Sequence, residues 1–338
     1  MKALIHLSFA LFFLTAVGQV QADPLKLGRN QGSPQTLATL AINEKFFQNQ
    51  GLEVELVYSQ STSDGINAVN VGKLDAGLSF GTGSPLTFAA EGAPIVIIGG
   101  NLAGGHPVLT TKENAGKYKS INDFKGKVVG TPRLYTPDVV FRGAAFKAGL
   151  VPGKDFELIE FRRTFDVLEA VKSGKVDVGI GSSAVTAGAL EAGLAIPLWS
   201  NDFFPHHPCC RIITTQEILG KKRPDLVKLI KGLLMAEKLF TENPEAGLLA
   251  NMEDLKLDRK TAEFVTTDPH IQQAVDPNTK GVVAMWEYMK SASYIKSDAD
   301  PKSFIDTSLY QEALASLKKE QPNEPFWDKL LNRFKEWN

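Results

Sequence analysis

Residues 66–93 read INAVNVGKLDAGLSFGTGSPLTFAAEGA, and residues 167–194 read VLEAVKSGKVDVGIGSSAVTAGALEAGL. The first stretch parses as the end of a helix, a glycine stop, a short buried strand, a Gly/Ser loop and the start of a new helix. The second repeats it: Gly72-Lys73-x-Asp75 returns as Gly174-Lys175-x-Asp177, an offset of 174 − 72 = 102 residues, and Gly77 falls on Gly179. The closing glycine turn comes back after one deleted residue. Two such units predict two similar α/β lobes, each presenting a loop at the carboxyl end of a strand. Open α/β sheets hold ligands there, so the repeat predicts a two-lobed binding protein with its cleft between the loops.

Outward from the repeat, strands and helices alternate. Leu52, Val54 and Leu56 alternate with Glu53 and Glu55 as a strand, and Ile95 to Ile98 is a continuous apolar run suited to a strand covered on both faces. Ser33-Pro34, Ser84-Pro85 and Thr136-Pro137 each suggest a capping hydroxyl followed by proline at the first helical position, and Ser61 caps the helix that Gly72 ends. A helix from Leu37 to Phe47 is expected to run up to a stop at Gly51. The alternation predicts mostly parallel sheets. The Gly-rich stretch 99–107 (GGNLAGGHP) reads as a crossing to the second lobe, and 201–213 (NDFFPHHPCCRII) as the return. The rest is helical: a long helix from Asp225 to Phe240, another from Val282 to Met289, a capping box at Ser308-x-x-Gln311 and a terminal amphipathic helix with Trp327, Leu330, Leu331 and Phe334 on one side.

The chain has 338 residues, 43% hydrophobic composition and a formal net charge of −1. That balance carries no electrostatic footprint for nucleic acid, and the length accommodates about two domains. Met1 to Ala22 has a basic start at Lys2, an apolar stretch from Leu4 to Val17 and small residues before Asp23, so a signal peptide over 1–22 and an exported, periplasmic protein are expected. The expected organisation is 1–22 signal peptide, 23–105 first part of lobe 1, 106–204 lobe 2, and 205–338 return to lobe 1 with the C-terminal helices. The two cysteines, Cys209 and Cys210, are adjacent and cannot clamp distant segments.

LKLGRN (25–30), NEKFF (43–47), GLEVELV (51–57), GINAVNVGKLDAG (65–77), SINDFKGKVVGTP (120–132), KAGLVPGKDFELI (147–159) and LEAVKSGKVDVGI (168–180) together resemble the periplasmic substrate-binding proteins of nitrate/sulfonate/taurine-type ABC transporters, whose fold the fungal thiamine-pyrimidine synthases share. The resemblance implies an α/β, type II periplasmic binding fold: two α/β lobes joined by two crossover segments, with added C-terminal helices. It implies a protein that closes on a small molecule and delivers it to a permease and ATPase in the inner membrane; a monomer with no catalytic residues, no cofactor and no nucleic-acid partner is expected.

Five loops lead from strands into helices capped by Ser or Thr, where free backbone N–H groups and the helix dipole suit an anion. The candidate ligand-binding residues are Gln31, Ser61, Thr82, Ser84, His106, Tyr135, Thr136, Ser183 and His206, with Gly81–Ser84 and Gly181–Ser183 expected to face each other. The capping role alone accounts for each hydroxyl taken singly, and Arg133 suits an acidic ligand or solvent equally. The expected ligand is a sulfonate, nitrate or related organic acid. A thiamine-type pyrimidine would instead call on stacking by Phe80, Tyr135, Phe165 or Phe204. A third reading draws His106 toward His206, His207, Cys209 and Cys210 as a metal site of a pyrimidine-synthase-like enzyme. Adjacent cysteines are not a standard zinc spacing, and the further cysteines of the fungal iron motif are absent; packing in a hinge strand or an adjacent-residue disulfide are the alternatives. No GxSxG, GxxxxGKS/T, HExxH or dinucleotide fingerprint is present.

Overall fold

The structure, a computed structural model, describes residues 23–30 and 34–338. The signal-peptide reading of 1–22, the Gln31 candidate and the Ser33 cap lie outside the described residues. In chain order the first group of elements is β1 (Leu25–Asn30), α1 (Thr36–Asn43), β2 (Val54–Ser59), α2 (Thr62–Asn70), β3 (Ala76–Gly81), α3 (Gly83–Ala90) and β4 (Ile95–Gly104). The second is β5 (Pro107–Thr111), β6 (Val128–Pro132), α4 (Thr136–Lys147), β7 (Glu157–Phe161), α5 (Thr164–Lys172), β8 (Val178–Ile180), α6 (Thr186–Glu191) and β9 (Leu194–Trp199). After α7 (Ser200–Phe203) come β10 (Pro208–Thr215), α8 (Gln216–Glu242), α9 (Pro244–Leu255), α10 (Arg259–Thr266), β11 (Ile271–Gln273), α11 (Thr279–Ser291), α12 (Ser308–Glu320) and α13 (Pro325–Trp337).

The strands form two sheets, ordered β11-β4-β10-β3-β1-β2 and β7-β6-β8-β5-β9. Within each, the β-α-β units are parallel: β1 with β2 and β3, β6 with β7 and β8. The sheets are less parallel than the alternation of elements suggests. β10 runs antiparallel between β3 and β4, and β5 antiparallel between β8 and β9. The reason is the crossing itself. β5 and β10 are the strands that have just arrived from the opposite sheet, so they enter from the carboxyl ends of their neighbours. Gly72 and Gly174 end their helices at φ of 70° and 71°, in space where an added Cβ would meet nothing, so backbone conformation alone selects glycine there.

Some boundaries differ from the sequence pattern. α1 ends at Asn43, Lys45 adopts φ 56°, and a short 3-10 turn over Gln48–Gln50 precedes Gly51; Phe47 is buried against the core from that turn and not from a continuous helix. α3 starts at Gly83 with Thr82 in the cap position, and α4 starts at Thr136 after Tyr135, so neither Ser84 nor Thr136 is a cap. α12 begins at Ser308, whose hydroxyl is held by Asp306 at 2.5 Å, so the expected capping box is not formed. α8 is longer than its apolar stripe and kinks at Lys222, ahead of Pro224.

One core wraps β1, β3 and β4 with α1, α8, α12 and α13, and buries Trp327 and Tyr310. A second core runs across the lobes: Leu86, Met285 and Met289 share a cluster with Val139 and Val140 of α4. α4 packs so closely on α11 that a Cβ at Gly143 would lie 2.0 Å from the Tyr288 ring.

Candidate functional site

The loops at the carboxyl ends of β3 and β6 meet at one carbonyl. Cys209 O accepts from Thr82 N at 2.9 Å, from Thr82 Oγ1 at 3.2 Å and from Thr136 Oγ1 at 2.9 Å. Thr82 Oγ1 also lies 2.7 Å from Pro208 O. A hydroxyl has one proton, so in this arrangement Thr82 and Thr136 spend theirs on β10, and both side chains are buried. Gly83 sits where a Cβ would be 3.2 Å from Leu134 O. Gly81–Gly83 therefore makes its interlobe contact with Leu134–Thr136, whereas Ser183 opens a short 3-10 turn that packs on α5, α6 and α10.

Asp138 organises the α4 side. Its carboxylate accepts from Thr131 Oγ1 at 2.9 Å, Leu134 N at 2.9 Å, Arg142 Nε at 2.7 Å and Tyr294 Oη at 2.5 Å. Leu134 is held at φ 64°, a conformation that non-glycine residues rarely adopt and that surrounding contacts must enforce. Tyr294, beyond α11, lies under both Arg133 and Arg142, with 4.8 and 5.1 Å to its ring centre. Sequence reasoning passed over this node. Its only local signal was an acid in the first turn of a helix, at Thr136-Pro137-Asp138, and the Tyr294 partner lies 156 positions away.

At the crossings, Ser200 N donates to His106 O at 2.8 Å and His106 N to Ser200 Oγ at 3.1 Å. His207 sets its Nε2 3.3 Å from Ser200 Oγ and its Nδ1 2.8 Å from Phe204 O, and the His106 and His207 rings are 5.5 Å apart. The structure thus brings these two histidines together. Burial, reinforced by His207, holds the His106 pKa well below its ordinary value. Burial likewise lowers His207, to about 4, against the opposing pull of Phe204 O. Both imidazoles are neutral near pH 7. The two ring nitrogens of His106 are buried without a hydrogen-bonding partner among the described residues. His206, at φ 55°, is exposed, with its ring against Gln272 Oε1 at 2.9 Å and 5.4 Å from Trp337.

Cys209 and Cys210 are free thiols with sulfurs 3.1 Å apart. Next to them Arg211 is 1% exposed, donating to Asp276 O, Pro277 O and Leu102 O, and burial lowers its pKa to about 10. Among the described residues, no three His, Cys, Asp or Glu side chains gather to hold a metal. Asn101 Nδ2 donates to Ser79 Oγ at 2.9 Å in the buried interior beside this strand.

The remaining candidates are dispersed. Ser61 is exposed and reciprocates with Asp64, accepting from its N–H at 3.1 Å and donating to its carboxylate at 2.7 Å. Ser84 is half-buried in the first turn of α3. Arg133 Nη1 reaches both carboxylate oxygens of Glu160, at 2.9 and 3.0 Å. Phe80 is wholly in the core and Phe204 packs on Tyr288 and His207, while Tyr135 and Phe165 are 44% and 55% exposed. Arg162 and Arg163 lie at the end of β7, beside the end of β6. Arg163 pairs with Asp166, and Arg162 is exposed with no ion-pair partner among the described residues. A groove of about 600 Å³ opens at the other end of the first sheet, lined by Lys26, Lys73 and Lys222 against Asp23, Glu55 and Asp75. Its charges balance, and Lys222 is already paired to Asp75 at 2.8 Å.

Known proteins match this architecture. The aliphatic sulphonate binding protein SsuA of Escherichia coli superposes with a TM-score of 0.70 at 18% identity, covering 85% of this chain and 92% of that one. The nitrate-binding protein NrtA of Synechocystis PCC 6803 gives 0.70 at 14% identity, covering 87% and 89%. At these identities the likeness is one of fold, the periplasmic binding protein fold. A chain of Brucella abortus (strain 2308), provisionally named a binding protein, is 25% identical over 315 residues, 90% of this chain and 96% of its own length. A family profile for NMT1/THI5-like proteins matches residues 35–247, and the chain belongs to that family.

Proposed function

We propose that the protein is the solute-binding component of an ABC importer and captures a small anion, such as a sulfonate, nitrate or related organic acid, between its lobes. The observation that carries the anion is the arginine-rich rim at the adjoining ends of β6 and β7. Arg162 has no ion-pair partner among the described residues there, beside the exposed Arg163. Guanidinium groups match anions that carry two or more oxygens on one centre, planar or tetrahedral, with paired N–H donors. The chain works as an exported monomer in the periplasm, and its partners are a permease and an ATPase. Ligand bridging the lobes shifts an open–closed equilibrium by no more than its differential affinity for the two states, and the closed form is what the permease reads.

A second reading has its own observation. Tyr135 and Phe165 are exposed aromatic residues at the helix starts after β6 and β7, and a pyrimidine precursor would stack on such rings. Calorimetric titration with methanesulfonate, taurine, nitrate and a neutral aminopyrimidine separates the two. Heat with an anion, reduced in Arg162→Ala, supports the first; heat only with the neutral ring compound removes it.

A further inference from the structure

Neighbouring residues of a regular strand point to opposite faces, yet the sulfurs of Cys209 and Cys210 lie 3.1 Å apart. The reason is local. The pairing of β10 with β4 shifts register on both sides of Cys210, between Pro208 and Cys210 and again between Cys210 and Arg211. Such a bulge re-aims side chains and brings the two thiols together. They are not equivalent: Cys209 is 5% exposed, whereas Cys210 is partly open to solvent. Beside them is the buried Arg211 guanidinium, bonded only to carbonyls and balanced by no ion pair among the described residues.

We infer that Cys209 and Cys210 form a dithiol site that reacts with disulfide-bearing oxidants, Cys210 as the attacking sulfur and Cys209 as the resolving one. The Cys210 thiolate attacks one sulfur of an oxidant R–S–S–R, forming a mixed disulfide and releasing R–S⁻. Cys209 then gives up its proton to the departing thiolate and attacks the Cys210 sulfur, expelling the second R–S⁻. Two protein thiols are oxidised and one external disulfide is reduced to two thiols. The electrostatics favour this order: the hydrogen bond from Cys209, aided by Ser79 and Arg211, lowers the Cys210 pKa, while that bond and burial raise Cys209 well above its ordinary value.

The reaction has a structural consequence. The ring that closes contains the Cys209–Cys210 peptide, and the carbonyl of that peptide is the group that Thr82 and Thr136 hold from the two lobes. Turning the peptide plane withdraws the carbonyl, so oxidation loosens the tie between the β3–α3 loop and the start of α4.

The test treats the full chain, under native conditions, with oxidised glutathione and reads intact mass and alkylatable thiols. The wild type should lose both thiols and two hydrogens and retain no glutathione, and its thermal midpoint should fall and recover on reduction. Cys209→Ser should trap one glutathione on Cys210, and Cys210→Ser should react about tenfold more slowly; Cys209→Ala and Cys210→Ala repeat the comparison if a serine variant folds poorly. A wild type that keeps both thiols while the denatured chain loses them overturns the proposal. So does glutathione trapped on Cys209 as fast as on Cys210.

Discussion

Asp75 and Asp177 perform the same task in the two lobes. Asp75 accepts from Lys26 N at 2.8 Å and Asp177 from Val128 N at 2.8 Å, each across 49 residues. Both aspartates return their own backbone N–H to the carbonyl of the same partner, at 2.8 and 2.9 Å. Their carbonyls in turn take a threonine hydroxyl from the incoming antiparallel strand, Thr214 at 2.6 Å and Thr110 at 2.9 Å. The repeated aspartate is therefore a fastener of three strands and not an acid for chemistry.

The environments differ, and that sets a prediction. Asp75 is buried and also holds Lys222, while Asp177 is exposed. Asp75→Ala should cost about 2–3 kcal/mol and Asp177→Ala about 1 kcal/mol, since unpaired groups are costlier in the interior. Equilibrium urea unfolding of the two variants measures the asymmetry. Equal losses would contradict it.

Thr136→Val removes the lobe-2 hydroxyl from Cys209 O while keeping the side-chain shape. A loss of about 1 kcal/mol in stability is expected, together with a wider lobe separation in solution scattering. An anion bound directly to this hydroxyl loses affinity beyond that effect, which calorimetry with methanesulfonate on the same variant reads.

Tyr294→Phe breaks the bond to Asp138 and leaves the ring in contact with its two arginines. Hydrogen bonds to charged groups contribute about 1.5–3 kcal/mol, and a destabilisation of about 2 kcal/mol should appear in thermal or chemical unfolding. Asp138→Asn should cost more, because it weakens the bonds to Arg142, Thr131 and Leu134 as well.

Acid should weaken the fold through the crossing histidines. His207 titrates near pH 4 in the folded chain and at about 6.5 when unfolded. Between those values the unfolded state binds the extra proton, so stability is full above about pH 6.5 and declines as the pH falls toward 4. The neighbouring His106, also held neutral by burial, adds to the same slope, and Arg211 and His206 on the same side oppose protonation. His207→Gln should flatten the curve of unfolding free energy against pH between 4 and 6.5. An unchanged slope would place the acid sensitivity elsewhere.

The Gly72/Gly174 repeat was legible because its physics is local. Positive φ at a helix end, a short strand buried on both faces and a fastening aspartate all act within a few residues or one neighbouring strand, and they leave the same letters in both lobes. That the chain passes from one sheet to the other and back was legible too, the first passage from its glycines. Three things depended on tertiary structure. The antiparallel placement of β5 and β10 follows from which sheet each strand reaches, and periodicity carries no direction. The fate of Thr82 and Thr136 turned on Cys209 O arriving from more than seventy residues away. And the closeness of two adjacent sulfurs came from a bulge that only the pairing with β4 creates. From the sequence alone came two α/β lobes, each built on the same glycine stop and buried strand; packing decided which hydroxyls are already spent on holding the lobes together, because hydrogen-bond partners are chosen in space and not along the chain.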